Sequence, residues 1–115
     1  MKIKVRIAIT NDKGESYMGI GLVWLLKRIQ KFKSISRAAQ DMELSYTKAL
    51  TILNRLEKNV GRKILVRTRG GMARGGAELT PFAKSYIKTY ECLSRDIRRY
   101  AEKRFKTFKK HFSEA

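Results

Sequence analysis

Residues 34–61, SISRAAQDMELSYTKALTILNRLEKNVG, read as two helices joined by a tight turn. Ser34 or Ser36 can cap a short helix through Met42, buried by Ala38, Ala39 and Met42. Glu43-Leu44 is short enough to be the turn, and Ser45 stands where a second N-cap belongs. Behind it Ala49, Ile52, Leu53, Leu56 and Val60 recur at helical spacing, and Gly61 can end the helix. Small side chains at Ala38 and Ala39 let the two helices approach closely, as a helix-turn-helix requires. The polar opening of the second helix (Ser45, Tyr46, Thr47, Lys48) would then be free to enter a major groove. Thr51, Asn54, Arg55 and Lys58 continue that outward face past bases and then phosphates. Tyr46 fits either a phosphate contact or packing under the turn. Spacing alone leaves an ordinary helical hairpin equally open.

The residues that follow weigh against that plainer reading. Ile64 to Thr68 is a β-branched strand, Arg69 to Gly76 (RGGMARGG) a glycine-rich loop, and Ala77 to Leu79 a returning strand. Glycine lets backbone amides approach a phosphate closely, and arginine can enter a narrow minor groove. That combination describes a wing, with Arg69 and Arg74 as its candidate contacts. A nucleotide-binding phosphate loop is excluded, because Gly76 is followed by Ala77-Glu78 and a strand rather than Lys-Ser/Thr and a helix. Gly19 and Gly21 lack the third glycine of a dinucleotide fingerprint.

Upstream, Ile3, Val5, Ile7 and Ile9 alternate with Lys2, Lys4 and Arg6, which predicts a half-buried strand over 2–10. Asn11 to Gly14 is a turn, and Glu15 to Met18 can return, giving a β-hairpin. After Gly19-Ile20-Gly21, a stripe of Leu22, Val23, Leu25, Leu26, Ile29 and Phe32 forms a first helix, with Lys27, Arg28 and Lys31 outside it and Trp24 expected in the core. Downstream, Thr80 as N-cap and Pro81 at the first helical position start a helix that runs to about Lys110. The expected architecture is α+β, mainly α: one winged helix-turn-helix domain over 1–115. It comprises a hairpin (1–18), three helices (19–61, the motif at 34–61), a wing (62–80) and a long C-terminal helix (81–112).

Charge points the same way. The chain carries 27 Lys and Arg against 10 Asp and Glu, a formal net charge of +17. No acid lies between Glu15 and Asp41, or between Glu57 and Glu78. Such a surface attracts polyanions, and no segment reads as a lipid-facing amphipathic helix. The single cysteine, Cys92, excludes an internal disulfide and sits in an apolar stripe suited to packing. No stretch approaches a membrane span or a signal peptide, so a cytoplasmic, nucleoid-associated protein is expected. His111 is the only histidine, so no His/Cys metal cluster is expected, and no cofactor is implied. The acids are few and scattered and no nucleophile motif is present; the chain does not read as an enzyme.

Residues 34–87 resemble the DNA-binding domain of LysR-type regulators: SISRAA, a Ser opening the recognition helix, Leu56-Glu57, Gly61, an Arg before the wing, and LTPFA after it. GIGLVWLL, SISRAA followed by SY, and GGMARGGAELT make the match closer to the N-terminal domain of the molybdate-responsive ModE regulators and their stand-alone relatives. The resemblance implies a dimeric winged helix-turn-helix that reads double-stranded DNA with its third helix. It adds Ser36 and Arg37 to the DNA-facing set of Ser45, Tyr46, Thr47, Lys48, Thr51, Arg55, Arg69 and Arg74. Lys33 departs from the pattern, standing where these relatives usually carry Gly, and Met72-Ala73-Arg74 interrupt the glycines of the wing. With Ala115 as the last residue, no effector domain is expected, and molybdate sensing does not carry over.

The C-terminal helix carries Tyr90, Leu93, Ile97, Tyr100, Phe105 and Phe108, more apolar surface than so small a core covers. A homodimer through these residues is expected, aided by the N-terminal strand. The sequence leaves three functions in play: a transcription regulator, an abundant architectural DNA-binding protein of low specificity, or an RNA-binding or partner-docking module.

Overall fold

The structure, a computed structural model, describes residues 1–68 and 76–112. Its elements are β1 (Ile9–Thr10), β2 (Ser16–Met18), α1 (Ile20–Phe32), α2 (Ile35–Asp41), α3 (Tyr46–Val60), β3 (Leu65–Thr68), β4 (Gly76–Leu79) and α4 (Pro81–His111). The order is the one expected, and the architecture is an α+β winged helix-turn-helix with helix predominating.

Capping chemistry sets most boundaries. Ser34, not Ser36, caps α2, its hydroxyl accepting the Arg37 N–H at 3.1 Å. The Ser45 hydroxyl accepts the Lys48 N–H at 3.0 Å, and Gly61 ends α3 at a left-handed φ of 67°. Thr80 does double duty: its hydroxyl accepts from Ala83 N–H at 3.1 Å and donates to the Lys63 carbonyl at 2.7 Å. Each such cap contributes about 1 kcal/mol. Together they fix where α3 stops and α4 starts, and so where the wing between them emerges.

The core sits where α1 crosses α2 and α3. Leu22, Val23, Leu25, Leu26 and Ile29 from α1 meet Ile35, Ala38 and Ala39 from α2 and Ala49, Leu53 and Leu56 from α3. Ile64, Ala77, Leu79, Ala83, Ile87 and Tyr90 close the other side. Fully burying one Leu or Ile contributes about 1.5–3 kcal/mol, so this cluster dominates the packing energy. Strands β3 and β4 pair antiparallel, Leu65 opposite Leu79 and Thr68 opposite Gly76. A side chain on Gly76 would collide with the Thr68 hydroxyl, which explains the glycine there.

Three expectations change. The strand foreseen over 2–10 pairs only at Ile9–Thr10, because β2 is three residues long and Gly19 then turns the chain into α1. Residues 4–8 keep the predicted alternation, with Val5 and Ile7 half-buried and Lys4 and Arg6 exposed, whereas Ile3, expected on the inner face, is exposed. Residues 1–8 run as a strap along α4, held where Tyr90 Oη donates to the Ile7 carbonyl at 2.6 Å. Trp24 is not core: it is 51% exposed, on the α1 face that also carries Lys27 and Lys31. Cys92 is half-buried rather than sealed, with the Arg95 guanidinium 3.5 Å from its sulfur.

The molecule is elongated, 62 × 30 × 23 Å, because α4 runs past the body. The buried residues of α4 all lie at or before Ser94. Beyond it Ile97, Tyr100, Phe108 and Phe112 are exposed, and Leu93 is too. Among the described residues no helix is long and apolar enough to cross a membrane.

Candidate nucleic-acid interface

The turn between α2 and α3 is built from backbone. Met42 N–H donates to the Ala38 and Ala39 carbonyls, and Leu44 N–H reaches the Ala39 carbonyl at 2.9 Å. Glu43 takes the left-handed conformation that the reversal needs, at φ 57°. Ala38 and Ala49 are fully buried and Ala39 nearly so, so the helices meet with almost nothing between their backbones. This close packing fixes the direction in which α3 presents its first turn.

That turn faces solvent. Ser45, Tyr46, Thr47, Lys48, Thr51 and Arg55 are all exposed, as are Asn54 and Lys58 behind them. Thr51 Oγ1 donates to the Thr47 carbonyl at 3.0 Å, which leaves its lone pairs outward as acceptors. Ser36 and Arg37 are exposed on the first turn of α2, and the Arg37 guanidinium lies over the Phe32 ring, 5.1 Å from its centroid. Such stacking orients a guanidinium without neutralising it. Among the described residues no carboxylate lies within 4.0 Å of Arg37, Lys48, Arg55, Lys58 or Arg67. The face thus presents cations that no carboxylate contacts as an ion pair.

Two supports hold this face in register with its neighbours. Glu57, on the inner side of α3, accepts the Ile64 N–H at 2.9 Å and so ties the end of the helix to the root of β3. Asn59 donates to the Arg55 carbonyl and accepts from Asn11 at 3.2 Å, which docks the β1–β2 turn against α3. Lys13 of that turn and Arg55 and Lys58 of α3 line a shared groove of about 670 Å³, together with the carboxylates of Asp12 and Glu15.

The structure adds one cation that the sequence reading passed over. Arg67, exposed on β3, brings Nη1 to 3.5 Å from Tyr46 Oη. Tyr46 is 44% exposed and therefore does not pack under the turn. Strand alternation gave no signal for it, since Val66 beside it is exposed as well. Arg69 and Arg74, the wing contacts expected from sequence, lie outside the described residues. Tyr90, expected in the dimer stripe, is buried in its own protomer by the bond to Ile7; Phe105 is half-buried, and Leu93, Ile97, Tyr100 and Phe108 remain exposed. Among the described residues no group of three His, Cys, Asp or Glu side chains could hold a metal ion.

Residues 23–84 match the family model of the bacterial regulatory helix-turn-helix proteins, lysR family. The chain is 38% identical over 73 residues to the transcriptional regulator ModE of Haemophilus influenzae, covering 64% of this chain and 29% of that protein. It is 34% identical over 70 residues to the DNA-binding transcriptional dual regulator ModE of Escherichia coli, covering 61% and 27%. With the molybdenum transport protein ModE of Azotobacter vinelandii it shares 28% identity over 88 residues, covering 76% and 32%. The chain therefore spans less than a third of the length of each of these relatives.

Proposed function

Because this chain belongs to the lysR family of bacterial regulatory helix-turn-helix proteins, with a ModE-like N-terminal domain, we propose that it binds double-stranded DNA as a transcription regulator. It is not a catalyst in this reading. The observation that carries the proposal is the exposed opening of α3, with no acid in its first turn, held by the buried alanines Ala38, Ala39 and Ala49 and by the Ser45 cap. In the groove, Ser45, Tyr46, Thr47 and Lys48 read base edges, and Thr51 and Arg55 follow toward the backbone. Ser36 and Arg37 meet the flanking phosphates. Arg69 and Arg74 of the wing act on the backbone or minor groove.

The working form is a homodimer joined through Leu93, Ile97, Tyr100, Phe105 and Phe108. Two-fold symmetry would set the recognition helices about 34 Å apart, one turn of DNA. The place of action is the cytoplasm, on the nucleoid.

Fluorescence anisotropy with random duplex DNA across a salt series, combined with selection from genomic fragments, tests this. Steeply salt-dependent binding with enriched fragments that share an inverted repeat is the expected result. The net charge of +17 favours a second reading, an architectural DNA-binding protein. Equal affinity for unrelated sequences would establish that one instead; a specificity ratio above roughly 10³ would exclude it.

A further inference from the structure

The strap of residues 1–8 divides two grooves. On one flank Ile3 faces Tyr100, Phe105 and Phe108, which belong to the stripe assigned above to a second copy. On the other flank lies a groove of about 630 Å³ floored by Val5, Ile20 and Trp24 and rimmed by Lys4, Arg6 and Arg98, with Glu102 at its edge. Arg98 and Glu102 follow one row of α4, and Ile97 and Tyr100 another. The two rows stand about 150° apart around the helix, so a partner helix on the second leaves the first open.

The groove has an apolar floor, an aromatic platform and a cationic rim. Trp24 is 51% exposed, an unusual position for the largest apolar side chain, and it stands among charges rather than other exposed aromatics. Among the described residues none of Lys4, Arg6 and Arg98 has a carboxylate within 4.0 Å. The volume is in the range that holds small organic ligands. A flat ring stacks on an indole face, and a phosphate pairs with guanidinium and ammonium groups.

We propose that this groove binds a small aromatic anion of the nucleoside-phosphate class, its ring on Trp24 and its phosphate among Lys4, Arg6 and Arg98. Neither Trp24 nor Arg98 lies on α3 or the wing, so this site stands or falls independently of the DNA reading. Glu102 works against the ligand's charge, and this fixes the sign of one variant: Glu102→Gln tightens binding.

Trp24 is the only tryptophan, so its fluorescence reports on this groove alone. The full chain is titrated with adenosine 5′-monophosphate, with adenosine and inorganic phosphate as separate arms. Saturable quenching by the monophosphate, at least about tenfold weaker with adenosine or with phosphate alone, is the expected result. Arg98→Ala should weaken it by about tenfold while leaving the thermal melt in place. No saturable change, or an equal response to adenosine, overturns the proposal. So does a Trp24 emission shift that follows protein concentration alone, which would place a second copy on the indole. Quenching by a single-stranded dA tetramer with none by the monophosphate also overturns it, in favour of a nucleic-acid strand.

Discussion

The carboxylate of Glu57 accepts a hydrogen bond from the backbone N–H of Ile64 at 2.9 Å, across the Gly61 turn. Ile64 is fully buried, so nothing else is at hand to satisfy that donor. Glu57→Ala leaves it orphaned and should destabilise the fold by about 1–3 kcal/mol. Glu57→Gln keeps an acceptor in reach and should recover most of the loss. Urea denaturation of the three proteins checks this, and equal stability of the alanine variant would remove Glu57 from its role as the tie.

Lys33 holds a left-handed φ of 54° at the end of α1 while its N–H and carbonyl bond to Ile29 and Ala77 at 2.7 and 3.0 Å. Its ion pair with Glu78, 4.0 Å apart and solvent-exposed, adds little. Lys33→Gly keeps both backbone bonds and relieves the side-chain clash of that conformation. We expect a gain of about 0.5–1 kcal/mol. A lower melting temperature in the glycine variant would show that the exposed side chain contributes more than the backbone strain takes away.

Lys48 stands at the opening of α3 with its ammonium in solvent. If it reads a base, Lys48→Ala loses about 1–3 kcal/mol of binding and blurs the preference at one position of the selected site. Uniform weakening across sequences, with a salt slope reduced by about one, would assign it to a phosphate instead.

Ile97 and Tyr100 project from a part of α4 that its own core does not reach. The wild-type chain should sediment as a dimer at micromolar concentration and Ile97→Glu as a folded monomer with its helicity unchanged. A wild-type monomer at tens of micromolar would refute the α4 interface.

The Tyr86 hydroxyl is pushed up to about 12 by burial, with the neighbouring Tyr17 phenol adding to the shift. In the unfolded chain the group titrates near its ordinary 10.0, so between that value and 12 the folded state holds a proton the unfolded one has lost. The stabilising contribution is complete below 10 and drains away as pH rises through that window. Tyr86→Phe should therefore flatten the fall of melting temperature from pH 9 to about 11.5. Some slope remains from Tyr90, also raised by burial, against the opposing effect of Arg98. Parallel curves for the two proteins would count against the assignment.

Those parts of the fold written in local chemistry were legible in sequence. Ser45, Gly61 and the Thr80-Pro81 pair act through backbone groups within a few residues, so their identity and spacing announce the ends of α3 and the start of α4. The helical spacing of Ala49, Leu53 and Leu56 did the same for the buried face. The misjudged parts depend on what lies opposite. Trp24 is expected in the core, although it shares its face with Lys27 and Lys31 at one-turn and two-turn spacings; helical geometry outweighs hydrophobicity there. The strand over residues 2–10 had the right alternation, but three residues after the turn cannot pair with nine before it. Ile7 found its partner in Tyr90, 83 positions away, a distance no periodic pattern spans. The exposed polar set of α3 was found from spacing, whereas Arg67 needed the meeting of β3 with Tyr46.

Ile3 forms part of the wall of both grooves that flank the strap. A shared wall links two guests only through a displacement of Ile3 that both of them feel. Whatever shifts Ile3 to suit a guest on the Trp24 side changes the fit offered to a guest on the Tyr100 side, and by reciprocity the two affinities change by the same factor. The strap, anchored at Ile7 by its packing on the core and by the Tyr90 bond, is thus the element through which a guest in one groove could be felt in the other.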